Sequence, residues 1–352
     1  MVENKKTNDA IKDIKREIDT YQDTVSALVC LGHILTWDDT TRSFRNGTKR
    51  CFGRRMNLVA GNRKNEPDPL TPDLVAVVSE RQGVLAEAKA SFHGSLKDRE
   101  RDFKQLANYD MALEGWPTPT GKIDSHDVIL LVHYSRKGST LDLLEKAKKD
   151  GLLKPLRKFA AISFTRAPQS DEFLALECFW GEMSDGVLQK RMRPLSVPLE
   201  KVRPLNPASL YDANPHPVLL MQLAWDNVFN TLVSPNDYLE AGKRPYLITC
   251  SIDQVRELLA RRCAPLSTDT RDPTIPRREL VKDMFWHFEN MDLAKCTDQE
   301  SGSYTVYYSR KSAPLDFFAK RYLALKAPKK ASSKGKRGRS GKVNSNQEWL
   351  FR

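Results

Sequence analysis

The chain has little of what would assign it to several familiar classes. Its six cysteines (Cys30, Cys51, Cys178, Cys250, Cys263 and Cys296) are widely separated. No C-x-x-C occurs, so neither a zinc ribbon nor an iron–sulfur cluster is indicated. Thiols so dispersed are expected to be reduced core residues of a cytoplasmic protein. No apolar run approaches the roughly 18 residues of a membrane span. The opening Met1-Val2-Glu3-Asn4-Lys5-Lys6 does not read as a signal peptide, so no membrane partner is expected. No G-x-x-x-x-G-K-[ST] motor signature is present, and any ATP-driven translocation would come from a partner. No internal repeat is visible.

What is present is length and positive charge. With 352 residues, 40% of them hydrophobic, the chain can form two domains with proper cores. Its formal charge is +12, but eight basic residues and no acid lie between Lys326 and Lys342, leaving about +4 for everything else. That Ser- and Gly-rich tail, residues 328–352, is expected to be disordered. It is suited to holding nucleic acid through phosphates, and equally to keeping the chain soluble.

The densest chemistry lies between Thr71 and Asp110. Leu74–Val78 is an apolar run of strand length, Ser79–Gly83 a polar turn, and Val84–Ser91 a second run. This pattern predicts a hairpin. Pairing Val78 with Val84 would set Asp73 opposite Lys89. Alternation puts Leu85, Glu87 and Lys89 on one face and the small Val84, Ala86 and Ala88 on the other. Two carboxylates beside a lysine suit a hard divalent cation such as Mg²⁺. A solvent-facing ion pair on an ordinary hairpin is the plainer alternative. Helical spacing of Phe103, Leu106, Ala107 and Leu113 predicts a helix over 98–113. Gln105 and Tyr109, four apart, share one of its faces and are able to hydrogen-bond a phosphate or a base.

In this order the residues resemble the PD-(D/E)xK, or restriction-endonuclease-like, nuclease superfamily. Pro72-Asp73 with Glu87-Ala88-Lys89 is similar to its PD…ExK pattern, and Gln105–Tyr109 to the QxxxY motif of its RecB-type exonuclease branch. The resemblance covers roughly residues 10–180, with its specific part confined to about forty. It implies a metal-dependent deoxyribonuclease in which Asp73 and Glu87 hold Mg²⁺ or Mn²⁺. Lys89 would assist the attacking water or the charge on phosphorus, and Gln105 and Tyr109 would bind DNA. A helix ahead of the hairpin often supplies a further ligand in this family; Glu17 and His33 are the candidates. The competing readings are a non-catalytic DNA-binding or regulatory subunit and a nuclease active only within a larger complex.

The remaining segments fit an α/β fold. Residues 8–35 carry Ile11, Ile14, Ile18, Tyr21, Val25, Leu28 and Leu31 at a 3.6 period, predicting a long helix. Arg42, Arg45, Lys49, Arg50, Arg54 and Arg55 form a basic segment able to contact phosphates, followed by a short strand around 56–60. Glu66 and Asp68 sit in a surface loop. Asp127–Tyr134 reads as a buried strand, 141–158 as helix, and 159–165 and 172–180 as strands. The expected fold is a mixed central sheet flanked by helices over residues 1–185. His126 and His133 are expected to be structural. Residues 186–207, with Arg191 and Arg193, read as a basic connector. Residues 208–327 read as a mainly helical, winged-helix-like unit for DNA binding or assembly, with helices over 217–232 and 277–291 and Ser251 as a helix cap.

Overall fold

A computed structural model describes residues 2–38, 43–44, 52–53, 57–60, 69–79, 81–89, 96–118, 120–167, 170–199, 215–233, 246–263, 276–309 and 315–326. The basic residues Arg42, Arg45, Lys49, Arg50, Arg54 and Arg55, the loop acids Glu66 and Asp68 and the tail 328–352 lie outside these residues. The chain divides into two compact units. One comprises Thr20–Ala208 with Leu266–Asp272, the other Met1–Asp19, Ser209–Pro265 and Pro273–Arg352. The division falls within the first helix, α1 (Val2–Thr36). No described helix is long and apolar enough to cross a membrane.

In the first unit a two-residue pairing joins β1 (Trp37–Asp38) to β2 (Ser43–Phe44). The main sheet is built from β3 (Phe52–Gly53), β5 (Leu74–Ser79), β6 (Gln82–Lys89), β8 (Ser125–His133), β9 (Phe159–Ala167), β10 (Ser170–Gly181) and β11 (Leu195–Pro198), in the order β11-β10-β9-β8-β6-β5-β3. β8 runs parallel to both β6 and β9, while the other pairings are antiparallel, so the sheet is mixed. The parallel steps are bridged by α2 (Leu96–Tyr109) and α3 (Lys137–Lys149). β4 (Val59–Ala60) pairs separately with β7 (Leu113–Glu114).

Central position explains composition. β8 is flanked on both sides and buried on both faces, and its run Val128–Val132 is apolar throughout. One sheet face carries Val75, Val77, Leu85, Val128, Leu130, Val132 and Ala161. It packs with Phe103, Leu106 and Tyr109 of α2 and Leu144 and Ala147 of α3. On the other face Arg166 pairs with Asp23 of α1 at 2.5 Å. Among the described cysteines, Cys30, Cys250 and Cys263 are buried and Cys178 and Cys296 half-buried.

Three predicted boundaries differ from the structure, each for an identifiable physical reason. The hairpin register is Ala76↔Val84 and Leu74↔Ala86, two residues away from the expected Val78–Val84 pairing. The Ser79 hydroxyl accepts N–H bonds from Arg81 and Gln82, so the turn closes over two residues, not five. α2 stops at Tyr109 because the Asp110 carboxylate turns to accept the backbone N–H groups of Leu156 and Arg157. α3 stops at Lys149, nine residues before the expected end. Gly151 adopts φ +72° and the Leu152 N–H returns to the Ala147 carbonyl.

In the second unit, α5 (Pro217–Leu223) runs through a π-helical turn, Ala224–Phe229, into Asn230–Leu232. β12 (Tyr246–Ser251), α6 (Ile252–Cys263), α7 (Arg278–Asn290), β13 (Ala294–Asp298), β14 (Ser303–Tyr308) and α8 (Leu315–Lys326) follow. The strands form an antiparallel sheet ordered β12-β14-β13. Ser251 accepts from the Gln254 N–H at the start of α6, as expected of a cap. The core is aromatic: the Trp225 ring meets Phe229, Phe288, Tyr308 and Phe318. Lys15 of α1 pairs with Asp316 of α8 at 2.7 Å.

Candidate active site

The two-residue shift in register preserves the faces of the hairpin, because side chains alternate with period 2. Glu87 and Lys89 therefore still point to the α2 side with Leu85. Asp73, just ahead of β5, is brought level with Glu87 rather than Lys89. Its Oδ2 accepts the Ala88 N–H at 2.9 Å, so the carboxylate takes the place of a backbone acceptor where the ladder ends. Gly83 stands on the same side of β6, and a Cβ there would overlap the Trp116 indole and Ile123.

Across from the strand, α2 presents Asp102, Gln105 and Tyr109 along one stripe, spaced at i, i+3 and i+7. These residues close a hydrogen-bonded ring with the hairpin. Gln105 Nε2 donates to Glu87 Oε1 at 2.9 Å and to the Tyr109 hydroxyl at 2.8 Å. The Tyr109 hydroxyl donates to Glu87 Oε2 at 2.9 Å. Lys89 Nζ donates to Gln105 Oε1 at 2.8 Å and lies 3.1 Å from Glu87 Oε1 and 3.3 Å from Asp102 Oδ1. The Glu87, Asp102 and Lys89 side chains are only 8%, 13% and 16% exposed, so these bonds are screened weakly. Burial, and then the Glu87 carboxylate, push the Tyr109 phenol above its ordinary value, which keeps it a proton donor.

The structure thus brings together all five residues singled out by the motif pattern: Glu87, Lys89, Gln105 and Tyr109 directly, and Asp73 through the Ala88 amide. Asp102 was missed, although its spacing from Gln105 and Tyr109 on one helix face carries the signal. Glu17 is exposed on the stretch of α1 that belongs to the other unit, where its charge acts on His216. His33 is half-buried in the last turn of α1. Arg191 and Arg193 are exposed, around the end of the short α4 (Gly186–Arg191).

Both sheet histidines have structural partners. His126 is buried against Trp116, with Nε2 2.6 Å from the Tyr109 carbonyl, so it holds the end of α2. Burial lowers its pKa to about 4. His133 Nδ1 bonds the Ser135 hydroxyl at 2.8 Å, and its ring meets Phe164 edge-on.

No protein-family model, curated protein or solved structure matches this chain. The chemistry of the site therefore rests on its own geometry.

Among the described residues no group of three or more His, Cys, Asp or Glu side chains is arranged to hold a metal ion. Asp73 and Glu87 nevertheless fit Mg²⁺, which takes one or two carboxylates and leaves its other positions to water and phosphate. The cluster gathers three carboxylates, Asp73, Glu87 and Asp102, around Lys89.

Proposed function

We propose that the first unit is a metal-dependent deoxyribonuclease that hydrolyses phosphodiester bonds by attack of water. The observation carrying this reading is the closed network of Glu87, Lys89, Gln105 and Tyr109, with Asp73 tied to the Ala88 amide beside it. The network lies toward the carboxyl end of β6, a strand parallel to its neighbour β8, and ligands of α/β sheets collect outside such ends. On this reading the mixed sheet flanked by helices is a restriction-endonuclease-like fold.

Asp73 and Glu87, with the Ala88 carbonyl, would hold Mg²⁺ or Mn²⁺. Bound there, the cation supplies Lewis-acid polarisation of a phosphoryl oxygen and a water of lowered pKa. The rest falls to the protein. Tyr109 and Gln105 fix the Glu87 carboxylate by one bond to each oxygen. Gln105, Glu87 and Asp102 together aim the Lys89 ammonium, which then stabilises charge on phosphorus without reorganising at the moment of reaction. Gln105 and Tyr109 thus serve the DNA chiefly by orienting the groups that meet it.

The second unit is read as a winged-helix-like module for DNA binding or assembly. Its order of helix, strand, two helices and two strands, with sheet order β12-β14-β13, supports that assignment. The test is cleavage of linear, circular and single-stranded DNA with Mg²⁺, Mn²⁺ or EDTA. Metal-dependent cutting is expected, with a loss of roughly 10³-fold or more in Asp73→Ala and Lys89→Ala, about 4 kcal/mol of transition-state stabilisation. Folded protein that binds DNA without cutting would favour the regulatory subunit, or a nuclease that needs its complex.

A further inference from the structure

We propose that Tyr134 is a stacking platform for a base of single-stranded DNA, next to the phosphate that Lys89 faces. This rests on the nuclease reading and adds the form in which substrate is taken. In the parallel ladder Lys89 is level with Val132 of the neighbouring strand. Tyr134 follows two residues later, where β8 leaves the sheet at the same end. Adjacent strands lie about 4.8 Å apart and rise about 3.3 Å per residue. The backbone of Tyr134 is thus roughly one nucleotide step away from that of Lys89.

The ring is presented to solvent. Tyr134 is 53% exposed, in a short 3₁₀ turn, Tyr134–Arg136, none of whose residues is buried. It is also held. Lys137 Nζ sits 5.6 Å from the Tyr134 ring centroid and 6.0 Å from that of Phe179, and is itself fixed by a 2.7 Å bond to Glu177. An aromatic side chain anchored by a cation, yet largely uncovered, offers a flat π surface at little ordering cost. The local segment Tyr134-Ser135-Arg136-Lys137-Gly138-Ser139-Thr140 contains two cations and no acid; Glu177 is matched by Lys137, and Arg136 is exposed. A ring beside an exposed arginine is the combination that takes up a base together with its phosphate.

A base in duplex DNA is stacked between its neighbours and unavailable to such a ring. The site would therefore favour single strands and frayed ends over closed duplex. Stacking of one base on an aromatic side chain is worth about 1–3 kcal/mol, a factor of about 5 to 150 in affinity.

The experiment uses the full chain and a labelled oligo-dT, with a matched duplex as control. Binding is read by anisotropy in EDTA and cleavage in Mg²⁺ or Mn²⁺, for the parent, Tyr134→Ala, Tyr134→Trp and Lys89→Ala. Circular dichroism confirms folding. Tyr134→Ala is expected to weaken single-strand binding about tenfold and raise KM on the single strand to match. Tyr134→Trp should restore both, and duplex binding should stay unchanged. Parent-like single-strand binding by Tyr134→Ala, failure of tryptophan to restore it, or an equal loss on duplex would overturn the proposal. The two readings fail separately. A parent that binds single strands through Tyr134 but cuts nothing retains the platform and loses the nuclease. A parent that cuts in a Lys89-dependent way, indifferent to Tyr134, does the reverse.

Discussion

Two buried cores, one in each unit, are each centred on a large aromatic side chain and are held by opposite means. Under α2, Tyr109 is almost fully buried and its hydroxyl both accepts from Gln105 and donates to Glu87. In the second unit Trp225 is fully buried among Phe229, Phe288, Tyr308 and Phe318, and its indole N–H has no hydrogen-bond partner among the described residues. The aromatic core is stabilised by area removed from water and tolerates one orphaned donor. The polar core holds three carboxylates and a lysine at a cost in desolvation that packing alone would not require. Charged side chains buried and aimed at one another from two elements are a cost that the aromatic core does not carry.

The comparison is broken most directly at Trp225. Trp225→Ala should leave a cavity and cost about 3–5 kcal/mol, read by urea denaturation. Hydrogen exchange should locate the loss in β14 and α7, with the amides of β6 and α2 keeping their protection. A loss shared equally by both sets would mean that the two cores do not act independently. The next largest effect is a pH slope in the polar core. The native pKa of His126, about 4, lies below the ordinary 6.5. Between these values the unfolded chain binds a proton that the native state does not, so stability falls as pH drops from 6.5 towards 4. The full effect is on the order of 3 kcal/mol, at 1.36 kcal/mol per pKa unit. His126→Gln should remove that slope, and α2 and β6 amides should report it.

How much of this could be read from the sequence depends on how local each determinant is. The faces of β6 and the pairing of Gln105 with Tyr109 follow from periods of 2 and 3.6, which need only neighbours, and both were legible. Asp102 lay on the same stripe and needed only the same reasoning. The hairpin register was not legible, because it is set by the Ser79 hydroxyl capturing two backbone amides. Gly83 reads as the end of a turn, yet it lies within β6, where only the missing Cβ admits Trp116. The end of α2 depends on Leu156 and Arg157, more than forty residues downstream. By contrast, Gly151 marked the end of α3 in the sequence itself, as a glycine following two lysines and an aspartate.

Smaller changes sharpen the contrast between satisfied and unsatisfied polar groups. Tyr109→Phe keeps the ring in place and removes the donor to Glu87. Because the acceptor is a buried carboxylate, the loss should be about 1.5–3 kcal/mol by denaturant titration. Ser163→Ala is the converse case in the same sheet. Ser163 is level with Val132 in the ladder, buried, and its hydroxyl has no hydrogen-bond partner among the described residues. Deleting a group that already bears its desolvation penalty leaves nothing unpaired, so stability should rise, by about 1 kcal/mol. If Ser163→Ala were destabilising, a partner for that hydroxyl would have to exist, and the buried polar groups on this face of the sheet would extend one strand beyond the cluster at Glu87 and Lys89.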